Sequence, residues 1–276
     1  MNPLYKDNDF SDRLVAFLDI LGFRKLVLSN KSIALQTINI IDGHINHILN
    51  VLKENNEKTF STKLFSDCIC ISCEYSLENI FYIIYELAFI QLYFSFEGIF
   101  LRGALSRGNH FENDRMIFSH GLIKAYELEQ IAIYPRIIID KELIDHIKHD
   151  SNSYYAIYIG FKTQDFIIKS PDGHFFVDYL NLLYEEGLEQ IESLKTHKQA
   201  ILTNVQQNIE NIRVIEKYHW LAGYHNFKFN EIFNADDYEP SDADEIIKET
   251  SINLKSSFPQ FKKSLMNDYS HESNSK

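Results

Sequence analysis

Apolar residues in the first half of the chain recur with two different periods, and those periods lay out alternating strands and helices. "RLVAFLDI" (13–20) is a nearly unbroken apolar run of strand length, closed by "LGF". The next segment, "SIALQTINIIDGHINHILNVLKE", repeats apolar residues every three or four positions: Ile33, Leu35, Ile38, Ile41, Ile45, Ile48 and Leu52. That is the period of an amphipathic helix, with Ser32 placed as its N-cap. "FSTKLFSDCICISCEY" (60–75) predicts two short strands joined by a tight turn at Ser66 and Asp67. "ENIFYIIYELAFIQLYFSFE" is apolar on nearly every side, the pattern of a deeply buried helix. "GIFLRGALSRGNHF", "DRMIFSH" and "YPRIIID" then read as strands, with "GLIKAYELEQIA" a short helix before the last of them.

This order predicts an α/β fold of the α+β kind, with helices laid on an antiparallel or mixed sheet. Residues 1–150 form the expected main domain. After it the pattern changes to short strands ("SYYAIYIG", "DFIIKS", "HFFVDYL") and then a mostly helical stretch from Glu185 to about Phe229. Residues 151–276 are therefore expected to be a strand-and-helix extension packed on the first part, with a polar, frayed end from Asn267.

Composition narrows the partners. A formal charge of −12 disfavours nucleic acid, whose phosphates are held mainly by Lys and Arg. No run of 18 apolar residues appears and the first residues lack the apolar core of a signal peptide, so a cytoplasmic protein away from the membrane is expected. Cys68, Cys70 and Cys73 do not make a disulfide framework. They are expected to be buried apolar residues rather than zinc ligands, which would need a fourth, convergent partner. His44 and His47 read as helix-surface residues, and the aromatics around Trp220 as core or dimer contacts.

Two acidic residues interrupt this apolar pattern. Asp19 ends the first strand, and Asp67 sits in the hairpin turn. If the strands are neighbours, the two carboxylates meet at one edge of the sheet. Paired ionised carboxylates are unfavourable unless a cation lies between them, and Mg²⁺ or Mn²⁺ suits an oxygen-rich site that stays open to water and phosphate. Ile20 could add a backbone carbonyl. The turn Leu21, Gly22 and Phe23 leads into a helix, where outward amides attract phosphate. A helix cap and a solvated turn residue would explain the same spacing.

These residues resemble a known family. "FLDILGF" (17–23) is similar to the first signature of class III nucleotide cyclases, approximately Phe-x-Asp-Ile-x-Gly-Phe. "KLFSDCICIS" resembles the second metal-binding strand, with Lys63 four residues before Asp67. "FLRGALSRGNHF", "IFSHGLIKAYELE" and "YPRIIID" follow in the family's order, so the likeness runs from about Arg13 to Ile147. It implies a ferredoxin-like cyclase core that works as a homodimer, with the site between subunits. Two Mg²⁺ or Mn²⁺ ions would sit on Asp19, Ile20 and Asp67, the turn Leu21 to Phe23 would cradle the triphosphate, and Lys63 would face the base. The reaction would convert a nucleoside triphosphate to a 3′,5′-cyclic mononucleotide and pyrophosphate.

Three positions depart from the family pattern. Ile123 stands where the family has a ribose-binding asparagine, Glu127 replaces an arginine that stabilises phosphate charge, and Met116 replaces an acidic base-reading residue. Arg102 and Arg136, with Arg107 and Lys124, are the candidate replacement cations, the first two for phosphate. Divergent bacterial cytidylate and uridylate cyclases of antiphage defence (the Pycsar type) resemble this layout. The alternative is a catalytically inactive, cyclase-like dimer that binds a nucleotide and signals through a partner. The Gly-Gly-Asp-Glu-Phe loop of diguanylate cyclases is absent.

Overall fold

The structure, a computed structural model, describes residues 6, 9–28, 31–56, 60–149, 162–184, 189–233, 248–252 and 262–263. The expected strand "SYYAIYIG" and the polar end from Asn267 lie outside them. Strand β1 (Ser11–Ile20) leads through a short helix α1 (Phe23–Val27) into α2 (Lys31–Asn56). The hairpin follows as β2 (Ser61–Phe65) and β3 (Cys68–Glu74), then α3 (Leu77–Phe96) and β4 (Leu101–Glu112). Next come β5 (Ile117–Ser119), α4 (His120–Ala132), β6 (Ile137–Ile139) and α5 (Lys141–His149). The extension contributes β7 (Ile167–Lys169), β8 (Phe175–Val177), α6 (Gln190–Gln207), α7 (Ile212–Phe233) and β9 (Lys262–Lys263).

Among the described residues all nine strands belong to one mixed sheet in the order β2-β3-β1-β4-β6-β8-β7-β9, with β5 paired to β4. The β4–β6 pair is parallel and the other pairs are antiparallel. The fold is thus mixed α/β, as the periodicity predicts. Residue 150 does not divide the core: the extension's strands continue the same sheet, and one apolar cluster joins Leu14 and Ile71 to Phe176, Leu194 and Tyr224.

Strand β1 is apolar on both sides because both of its faces are covered. Leu14, Ala16, Leu18 and Ile20 enter the main core with Phe81, Ile84 and Leu87 of α3. On the opposite face Phe17 meets Tyr126 of α4 edge-on at 5.6 Å, and Val15 touches Gly121. Helix α3 is long and apolar enough to cross a membrane by length and composition, yet 72% of that stretch is buried inside the protein. Its surface is taken up by core contacts.

Helix α2 departs from its expected pattern. Ile41 and Ile45 are buried, but Leu35 and Ile38 are exposed, so only part of the apolar stripe meets the core. The side chains of Ile33, Ile48 and Leu52, and of His47, lie outside the described residues. His44 packs against Tyr93 and Phe94 of α3. Cys70 and Cys73 are buried and all three cysteines are free thiols. Trp220 is a core residue, stacked on Tyr134 at 5.3 Å.

Candidate functional site

Asp19 and Asp67 come together through backbone pairing. In the sheet Asp19 lies between Cys68 on one side and Arg102 on the other. The hairpin reverses in two residues because Ser66 adopts a left-handed conformation, φ 56°, matching the twist of the flanking strands. The Ile20 amide then donates to the Asp67 carbonyl at 3.0 Å, tying that turn to the end of β1. One oxygen of each carboxylate and the Cys68 sulfur all lie within 4.8 Å of one another.

Beyond Ile20 the chain turns through Gly22, whose φ of 78° favours a residue without Cβ. The Leu21 amide is committed to the Phe100 carbonyl at 2.9 Å, so it cannot serve as a phosphate donor. Among the described residues the amides of Gly22 and Phe23 make no hydrogen bond. They are the part of the expected cradle that remains open.

Arg102 is the cation that meets Asp19. Its guanidinium donates to Asp19 Oδ2 at 3.0 Å and also pairs with Glu129 of α4. Helix α4 can lie this close because Gly121 rests against Val15 and Gly108, where a Cβ would come within 2.9 Å of the Val15 side chain. Gly121, Ala125, Glu129 and Ala132 form its buried stripe, which carries Glu129 down beside Arg102. Glu127 and Ile123 are on the opposite, exposed side.

Electrostatics follow from this crowding. Burial raises the pKa of Asp19 and the nearby Asp67 charge adds to that, against the pull of Arg102. Glu129 is raised by burial and by Asp19, again opposed by Arg102. Burial and the two aspartates push the Cys68 thiol up to about 12. Its Sγ lies 3.7 Å from an Asp67 oxygen as a weak donor. Asp19 and Asp67 offer hard carboxylate oxygens, which suit Mg²⁺ or Mn²⁺.

The other expected residues are placed elsewhere. Arg136 is fully buried, paired with Asp172 and stacked among Tyr134, Phe176 and Trp220. It is a core residue and not a phosphate ligand, which corrects the expectation from its position along the chain. Arg107 is bound to Asp12 and lies over Tyr75; Lys124 pairs with Glu142 and Asp140.

Lys63 is not beside the aspartates of its own chain. It pairs with Glu112 at 3.5 Å in a separate groove of about 330 Å³ lined also by Ser11, Arg13, Ser61 and His110. Glu112 accepts hydrogen bonds from Ser61 and Ser72 and contacts His110. Burial opposes its charge, but His110, the Ser61 hydrogen bond and Lys63 outweigh it and hold the pKa at about 2. Met116, the position expected to oppose Lys63, is exposed; Glu112 does so instead.

Sequence reasoning missed three residues: Glu112, Glu129 and Lys217. Alternation along β4 puts Glu112 on the face of Arg102, and the small residues at 121 and 125 mark the stripe that leads to Glu129. Lys217 of α7 is half-buried and electrostatically coupled to Asp19, Glu129 and Arg102. Nothing in its local sequence signals that.

No protein-family model and no curated protein matches this chain. Among solved structures, a bacterial light-regulated adenylyl cyclase is similar at 12% identity and a TM-score of 0.40, over 69% of this chain and 98% of its own. A second structure of the same description matches at 11% identity and a TM-score of 0.40, over 72% of this chain and 60% of its own length.

Proposed function

We propose that the chain is a metal-dependent nucleoside triphosphate cyclase. The observation that carries this reading is the convergence of the Asp19 and Asp67 carboxylates beside a glycine turn whose Gly22 and Phe23 amides are open. Its support from sequence is the resemblance between Arg13 and Ile147. Asp19 and Asp67 would hold two Mg²⁺ or Mn²⁺ ions, with the Ile20 carbonyl as a further ligand. When bound, such ions neutralise triphosphate charge and favour an ionised hydroxyl nucleophile.

The chain's own groups bind and orient. Gly22 and Phe23 offer amides to the phosphates. Arg102 turns from Asp19 toward the incoming phosphate charge while remaining tethered to Glu129. The 3′-hydroxyl then attacks the α-phosphorus, and the bond to pyrophosphate breaks as the cyclic ester forms. Because Lys63 faces its own groove, it would read the base for the partner copy in a homodimer. Exposed Phe65 and Tyr126, which flank Phe17 two residues before Asp19, support an apolar dimer face there. A pyrimidine base, giving cCMP or cUMP in antiphage signalling, has the sequence resemblance as its support.

One observation favours a second reading. Arg102 occupies Asp19, and Glu127 on the surface supplies no cation. In that reading the protein binds a nucleotide without turnover and signals through a partner. Incubation with ATP, GTP, CTP and UTP plus Mn²⁺ separates the two: cyclic product from one of them that is lost in Asp67→Asn supports the enzyme. Nucleotide-dependent stabilisation without product supports the sensor.

A further inference from the structure

The α6–α7 hairpin closes on the same end of the sheet that carries Asp19. The Lys25 ammonium, just past the Gly22 turn, reaches the Gln207 carbonyl at 3.3 Å. Asn204 donates to the Gly98 carbonyl at 3.1 Å, and Tyr218 meets Phe100 edge-on at 5.7 Å, directly before Leu101 and Arg102. Trp220 stacks on Tyr134 just beyond the end of α4. One turn back from Trp220 on α7 is Lys217, and one turn back from the end of α4 is Glu129. The electrostatic coupling of Lys217 to Asp19, Glu129 and Arg102 agrees with that placement.

Lys217 is an unusual cation. Among the described residues it makes no hydrogen bond and no ion pair, although it is half-buried. Asp19 and Glu129 both pair with Arg102 rather than with it. Burial and, after it, the Arg102 charge lower its pKa against the pull of Asp19 and Glu129. A partly buried ammonium without a partner is costly, and an entering anion offsets that cost.

We propose that Lys217 is a phosphate-binding residue of the Asp19–Asp67 site, supplied in cis by the C-terminal extension to a polyphosphate ligand. The proposal rests on the nucleotide reading above, and it makes the extension part of the site.

The test uses inorganic tripolyphosphate with Mn²⁺, which needs no knowledge of the base, and calorimetric titration of the full chain. Wild type is expected to bind it, and Asp19→Asn to lose that binding. Lys217→Gln should weaken it about tenfold or more, the size of one lost charge-assisted contact, whereas Lys217→Arg should stay close to wild type. Lys217→Gln should also melt no lower than wild type, because it gives up no contact, so a folding defect cannot account for the loss. Asp19-dependent binding that Lys217→Gln leaves unchanged overturns this proposal alone. Absence of binding by wild type overturns it together with the nucleotide reading.

Discussion

Replacing Arg102 by methionine keeps most of the side-chain length and removes its charge, leaving Asp19, Asp67 and Glu129 to face one another. Arg102 and Asp19 are each about one-fifth exposed and Glu129 is almost wholly buried. Breaking a fully buried pair costs about 3–5 kcal/mol and an exposed one about 0–1 kcal/mol, so this partly screened site lies between, at about 2 kcal/mol. For a chain of this size that is a fall in Tm of roughly 4–8 °C near neutral pH. The sign of its pH dependence follows from the carboxylates. Folded pKa values of Asp19 and Glu129 are already raised above 3.8 and 4.5, and loss of Arg102 raises them further. The folded variant then takes up protons that the unfolded chain does not, so its deficit shrinks as pH falls through those raised values. Mn²⁺ should do by charge what protons do, stabilising Arg102→Met more than wild type. Thermal melts at neutral and acid pH, with and without Mn²⁺, test this. A deficit that ignores both pH and Mn²⁺, or no deficit at all, would refute the electrostatic account of the site.

Glu86 of α3 is buried without a charged partner among the described residues, and burial raises its pKa to about 8. Its stabilising contribution is full below the unfolded value of 4.5 and is lost as pH rises through 8, a loss of roughly 2–3 kcal/mol between pH 5 and 7. Glu86→Gln should flatten that slope in denaturant titrations, and an unchanged slope would count against it. In the extension, Lys228 bonds Asp178 at 2.7 Å with both side chains buried. Lys228→Met strands the Asp178 charge and should cost about 3–5 kcal/mol in urea unfolding; a cost under 1 kcal/mol would mean that water reaches the pair.

The two periods in the apolar pattern were enough to mark β1, the hairpin, α3, β4 and α4, because each buries a face along its own length. Asp19 and Asp67 were legible for a related reason. Each is a carboxylate at the end of an apolar strand, and neighbouring strands must bring their ends together. Arg136 shows where that logic stops. It sits beside a strand of the same sheet, but its partner Asp172 lies 36 residues later and holds it in the core. Trp220 and Tyr218 dock α7, which carries Lys217, on Tyr134 and Phe100, a tertiary contact without a local signature. Glu112 was obscured differently. Position along the chain pointed to Met116, whereas the β4 face, shared by Glu112 and Arg102 at alternate residues, carries the acid that meets Lys63.

The central claim is most directly tested by turnover. The purified full chain would be incubated with each of the four nucleoside triphosphates and Mn²⁺, with cyclic mononucleotide and pyrophosphate followed by mass spectrometry. Asp19→Asn and Asp67→Asn would run beside it. The account predicts equal amounts of cyclic product and pyrophosphate from one triphosphate, abolished in both variants. Product that survives both substitutions, or none from any triphosphate, would contradict it.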